Sequence, residues 1–133
     1  MGSIKSGNDL GLELAFATNG KVILTADVTL RGLGGGFVLA VAQAQPSILI
    51  LASRNLAKIK ETAKAVLNQS PFVRVLTLEL DLVSSSAVRK AADTVNVWAD
   101  VTHIDVLVNN AGVMAMDWAL SPDGYGSQLA TNH

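Results

Sequence analysis

Four apolar runs separated by helix-length segments, the second of them without polar alternation, constrain this chain more than any other feature. They are Lys21-Val-Ile-Leu-Thr25, Ser47-Ile-Leu-Ile-Leu-Ala52, Phe72 to Leu80, and Ile104-Asp-Val-Leu-Val108. A strand with one wet face alternates apolar and polar residues, so unalternated runs read as strands buried on both faces. The connections are long enough to carry the chain back to the same end of a sheet, which makes the strands parallel. Right-handed crossovers then predict an α/β fold with strand order 3-2-1-4.

The connections carry helical signals. Phe37 to Gln45 has helical apolar spacing and is closed by Pro46. Asn55 caps a helix to about Asn68, with Leu56, Ile59, Ala63 and Val66 on one face and Lys and Glu on the other. Ser84 or Ser85 opens a helix to about Trp98 through Val88, Ala91, Ala92 and Val95. Gly11 to Ala17 is expected to form a short helix within an N-terminal extension, residues 1–19, ahead of a single unit at 20–133. Residues 26–36 read as a glycine-rich turn. Ser121-Pro-Asp-Gly124 punctuates the loop after the fourth strand, and Tyr125 starts a further helix.

Composition narrows the class. Half of the 133 residues are apolar and 16% are charged, which argues for a packed core and against disorder. Ten basic residues against eleven acidic ones leave no phosphate-backbone footprint, so nucleic acid is not an expected partner. With no cysteine there is neither a disulfide framework nor a thiolate metal site. No apolar run approaches the ~18 residues that span a bilayer. The start of the chain lacks the charged-then-apolar pattern of a signal peptide, so a soluble cytoplasmic protein is the expectation.

Several residues carry potential chemistry. The turn after the first strand holds Gly32, Gly34, Gly35 and Gly36, a pattern that suits a phosphate site at a helix N-terminus or, equally, a flexible turn. Arg54, after the second strand, either meets an anion or solvates a helix start. Asp81, after the third, either accepts a hydrogen bond from a ligand or caps the next helix. Ser84 to Ser86 lack a neighbouring histidine and read as capping residues. His103 has no companion ligands at metal spacing. Trp98 and Trp118 read as packing residues.

Asp105-Val-Leu-Val-Asn-Asn-Ala-Gly112, taken with Thr25 and Gly32-Leu33-Gly34 upstream, resembles the short-chain dehydrogenase/reductase family. The resemblance runs from about residue 12 to residue 133. It implies the first half of a Rossmann-type doubly wound fold, in a chain ending after the family's fourth strand. Leu120 to His133 is similar to a branch that includes fungal and retinol-dehydrogenase-like members.

The resemblance implies a nucleotide site made by Thr25, Gly32, Leu33, Gly34, Ser53, Arg54, Asp81, Asn110, Ala111 and Gly112. Ser53-Arg54 stands where an acidic residue would accept ribose hydroxyls, so NADP is implied over NAD. Asp81 would contact the adenine amino group. Asn109 and Asn110 would brace the sheet, and the Ala-Gly pair would allow close approach of the cofactor. Asn132 falls on the asparagine of the family's proton relay, expected here as a remnant at a frayed terminus.

The sequence also departs from the family pattern. Thr25 is followed by Ala26 instead of glycine, in a longer loop that contains Asp27, so a methyl group and a negative charge would oppose phosphate binding. The only tyrosine, Tyr125, has Leu129 four positions on, so the family's Ser and Tyr-x-x-x-Lys are not matched. The implied activity is an NADP-dependent oxidoreductase acting on a small-molecule carbonyl or alcohol, in secondary metabolism. The alternative is a non-catalytic homologue that retains nucleotide binding or serves as a protein partner, self-associating through the exposed edge of the fourth strand.

Overall fold

The computed structural model describes residues 4–13 and 15–133. Its first element begins earlier than the apolar spacing suggested, because Ser6 and Asp9 form a reciprocal cap. The Ser6 N–H donates to Asp9 Oδ2 at 2.9 Å and the Asp9 N–H donates to Ser6 Oγ at 3.2 Å. Helix α1 (Gly7–Glu13) follows, then the single turn α2 (Ala15–Thr18), so the helix expected over Gly11 to Ala17 is divided, with Leu14 outside the described residues.

The remaining elements alternate as β1 (Val22–Ala26), α3 (Leu33–Ala42), β2 (Ile48–Ser53), α4 (Leu56–Gln69), β3 (Arg74–Glu79), α5 (Ser85–Asn96), β4 (Val106–Val108) and α6 (Ser127–Asn132). All strand pairs are parallel and the order is β3-β2-β1-β4, as the crossover argument requires. Asn55 and Ser84 cap α4 and α5 through their side-chain oxygens.

Successive residues of β1 and β2 serve opposite faces. Ile23, Leu49 and Leu51 pack with Val38 and Val41 of α3 and with Ile59 and Val66 of α4. Val22, Leu24, Ile48 and Ile50 pack with Ala91 and Val95 of α5. β1 and β2 are buried along their whole length, and each large apolar side chain so buried contributes about 1.5–3 kcal/mol.

The strand-burial expectation fails at both edges: in β3 only Leu78 is buried, and in β4 Val106 and Leu107 are exposed. α5 covers only part of the second face, and no further described element lies over β4. The two tryptophans also part company: Trp98 packs against the α5-side core, whereas Trp118 is 81% exposed.

Helix α3 starts inside the glycine cluster and not at Phe37. Gly34 and Gly35 are helical and buried because the backbone of the preceding turn passes against them. A Cβ on Gly34 would stand 2.6 Å from the Asp27 carbonyl oxygen, and one on Gly35 would run into the Thr29 carbonyl. At its other end α3 stops at Ala42, and Gln45 takes a positive φ of 54° before Pro46. α1 lies across α3 by the same device, since a Cβ on Gly11 would come within 2.6 Å of the Ala40 carbonyl oxygen.

Candidate functional site

The strands are parallel, so their C-terminal ends and the turns that leave them gather on one edge of the sheet. A cleft there is lined by Ala26, Asp27, Ser53, Arg54, Leu80, Asp81, Leu82, Ala111, Gly112, Val113 and Thr131. It brings together five of the residues expected from sequence: Ser53, Arg54, Asp81, Ala111 and Gly112.

The other five lie beneath or beside the cleft. Thr25 is fully buried, and its hydroxyl has no hydrogen-bond partner among the described residues. Gly32 is the N-cap of α3, Leu33 projects into solvent, and Gly34 packs under the turn. Asn110 is the tie between strands: its Nδ2 donates to the carbonyls of Ala26 and Asp27, at 3.1 Å each. Asn109, by contrast, is exposed, and the bracing belongs to Asn110 alone.

The concern over Ala26 is resolved by where the left-handed residue falls. Ala26 stays in β1, in register with Ala52, and the positive φ of 57° belongs to Asp27. Aspartate tolerates that region better than most side chains. Val28 then returns to the core, its N–H donating to the Ala52 carbonyl at 3.2 Å.

The helix terminus offers a direct test of fit for a phosphate-bearing group. Gly32 supplies no side-chain cap to α3, so the first N–H groups of that helix remain open to an anion. Arg54 is exposed and forms no ion pair or side-chain hydrogen bond among the described residues. Arg54 lines the cleft with its guanidinium unpaired, and the uncapped start of α3 lies outside the residues that line it; each is suited to a phosphate-bearing group.

Of the two roles read for Asp81, the cap of α5 belongs to Ser84, which accepts from the Ala87 N–H. Asp81 Oδ1 instead accepts from the Val83 N–H at 3.2 Å. Two other carboxylates organise the β4 side. Asp105 accepts from the Val22 N–H at 2.8 Å, and this bond, with Lys21 and His103 nearby, holds its carboxyl below the usual range. Asp123 accepts from the Ser85 N–H at 2.8 Å, which depresses its carboxyl as well, with help from Arg89.

Sequence reasoning missed two features. Residues 119–127 form a small hairpin: the Leu120–Gly126 bridge flanks a turn in which Gly124 has φ of 84°, a conformation signalled by the Ser-Pro-Asp-Gly order. Tyr125 sits exposed in that hairpin. Asn132 is anchored, contrary to the frayed terminus expected. Its side chain accepts from the Val113 N–H at 2.8 Å and donates to the Val113 carbonyl at 2.9 Å, joining α6 to the segment that lines the cleft. Among the described residues, no cluster of three His, Asp or Glu side chains could hold a metal ion.

Four parallel strands in the order β3-β2-β1-β4, with a cleft at their C-terminal edge, define a Rossmann-type α/β fold. The comparisons make the class specific. Residues 21–131 match the short chain dehydrogenase family, and the chain belongs to that family.

It is 34% identical over 116 residues to the oxidoreductase fscI of Fusarium equiseti, covering 86% of this chain and 44% of that protein. It is 38% identical over 107 residues to the short-chain dehydrogenase/reductase prx1 of Penicillium rubens, covering 78% of this chain and 30% of that protein. The structure of a short-chain type dehydrogenase/reductase from Mycobacterium marinum shares the fold, with a TM-score of 0.64 at 24% identity, over 81% of this chain and 41% of that one. The chain therefore spans less than half the length of these relatives. No described helix is long and apolar enough to cross a membrane.

Proposed function

We propose that this chain binds NADP in the cleft at the ends of β1, β2 and β3, as the nucleotide-binding portion of a cytoplasmic oxidoreductase acting on a small-molecule carbonyl or alcohol. The observation that carries this reading is Arg54. It lines the cleft where an acidic residue would favour an unphosphorylated ribose, and its guanidinium has no partner among the described residues. A 2′-phosphate would supply that partner through charge-assisted hydrogen bonds. Gly32 and the start of α3 would hold the pyrophosphate, and Asp81 the adenine amino group. Bound NADP supplies or accepts the hydride. The proposal includes a place in secondary metabolism.

A second reading, a non-catalytic nucleotide binder that self-associates, is favoured by the open β4 edge, where Leu107 is 59% exposed. Calorimetry separates cofactor binding from its absence. The folded chain should bind NADPH saturably and more tightly than NADH, and Arg54→Ala should remove most of that preference, about tenfold. A folded chain that binds neither nucleotide would overturn the cofactor reading and leave the second.

A further inference from the structure

Asp27 occupies a position that glycine would fill without strain, and it is held there from both sides. Its own carbonyl and that of Ala26 accept hydrogen bonds from Asn110 Nδ2. Gly34 packs beneath it, and the next residue, Val28, is fully buried with its N–H on the Ala52 carbonyl. The backbone on either side of Asp27 is therefore fixed, with φ of 57°, and its exposed side chain lines the cleft. The Asp27 carboxylate forms no hydrogen bond or ion pair among the described residues, so nothing within the fold accounts for an acid at this point.

The cleft's charged groups divide by hydrogen-bonding character. Arg54 only donates, and the carboxylates of Asp27 and Asp81 serve as acceptors. A matching ligand must therefore present an anionic group to Arg54 and separate hydroxyl or amino donors to the two aspartates. A phosphate at Asp27 would meet a like charge, whereas a hydroxyl would form a charge-assisted bond. We infer that Asp27 is a specificity residue that accepts the free 3′-hydroxyl of an adenosine ribose whose 2′-phosphate is taken by Arg54. The acid absent from the end of β2 is in this way supplied by the turn after β1, and the cleft selects the position of the phosphate on the sugar. This inference rests on the nucleotide reading above and goes beyond it.

The test uses two probes of equal charge, adenosine 2′,5′-bisphosphate and adenosine 3′,5′-bisphosphate, titrated by calorimetry into the wild-type chain and into Asp27→Asn and Asp27→Gly. Both variants tolerate positive φ, and near-UV circular dichroism checks their folding. The wild type is expected to bind the 2′,5′ isomer about tenfold more tightly than the 3′,5′ isomer, the size of one charge-assisted hydrogen bond. Both variants should lose affinity for the first isomer and gain it for the second, reducing the preference to about threefold or less. If the variants bind both isomers more tightly by the same factor, Asp27 is a general electrostatic barrier and the inference fails while the nucleotide reading stands. A folded wild type that binds neither isomer nor NADPH overturns both.

Discussion

At the β3 edge of the sheet, Arg74 and Glu79 are exposed, Arg74 pairs with Asp100 at 2.6 Å, and Lys60 and Lys90 border the groove beside the strand. At the opposite edge, Val106 and Leu107 face solvent, and the nearby charge, Asp105, is turned inward onto the Val22 N–H. Charged edges resist pairing with another chain, and bare apolar edges invite it. The contrast extends into the layers behind each edge. β1 and β2 are buried along their whole length, and the cleft joins the ends of β1, β2 and β3 to Ala111, Gly112, Val113 and Thr131. The β4 half is held by side-chain hydrogen bonds from Asp105, Asp123 and Asn132, and it leaves Met114, Trp118 and Leu120 exposed. The consolidated strands thus border the cleft, and the bare apolar surface lies at the opposite edge.

The sharpest way to break this comparison is to make the same truncation in both halves. Leu49→Ala, in the centre of β2 with no exposed surface, should cost about 3 kcal/mol in urea unfolding, and Leu107→Ala well under ~1 kcal/mol. Equal losses would mean that β4 is as well packed as β2. Next in size are the glycines of α3. Gly34→Ala forces a methyl group against the Asp27 carbonyl and the Asn110 amide and should cost about 2 kcal/mol, whereas Gly36→Ala meets open space and should stabilise by about 0.5 kcal/mol.

A charge on the bare edge tests the association surface directly. Leu107→Lys should weaken any concentration-dependent self-association seen by sedimentation about tenfold, while an added lysine at Thr77 in β3 should leave it unchanged. Acid should give the smallest effect. Asp105 and Asp123 have carboxyls held below 3.8, so their contribution is present above that value and is lost as pH falls through the lower, folded pKa. Amide protection relative to the intrinsic exchange rate should therefore fall near β4 and the hairpin, as pH drops through those folded pKa values, before it falls in β2. Simultaneous loss of protection would show that the two halves unfold together.

β1 and β2 were legible in the sequence because burial on both faces writes an unalternated apolar pattern, and the strand order followed from the helix-length connections. Helix boundaries were legible where a side chain caps, as at Asn55 and Ser84. The start of α3 was hidden because Gly34 and Gly35 serve tertiary contact with the turn, a role that helix propensity does not encode. β4 read as buried because its composition resembles that of β1, and composition does not say whether a neighbour covers a strand. In the cleft, strand-end position pointed to Ser53, Arg54 and Asp81. The roles of Asp27 and Asn132 depend on backbone direction and on contacts over long separations, such as Asn110 to Asp27 and Asn132 to Val113.

The most direct measurement is hydrogen exchange of the folded chain with and without saturating NADPH. The account predicts added protection in the turn at residues 26–36, at Ser53 to Asn55, around Asp81 and at Asn110 to Val113, with the β4 edge unchanged. Unaltered exchange throughout, or protection confined to the exposed surface around Leu107 and Trp118, would contradict it.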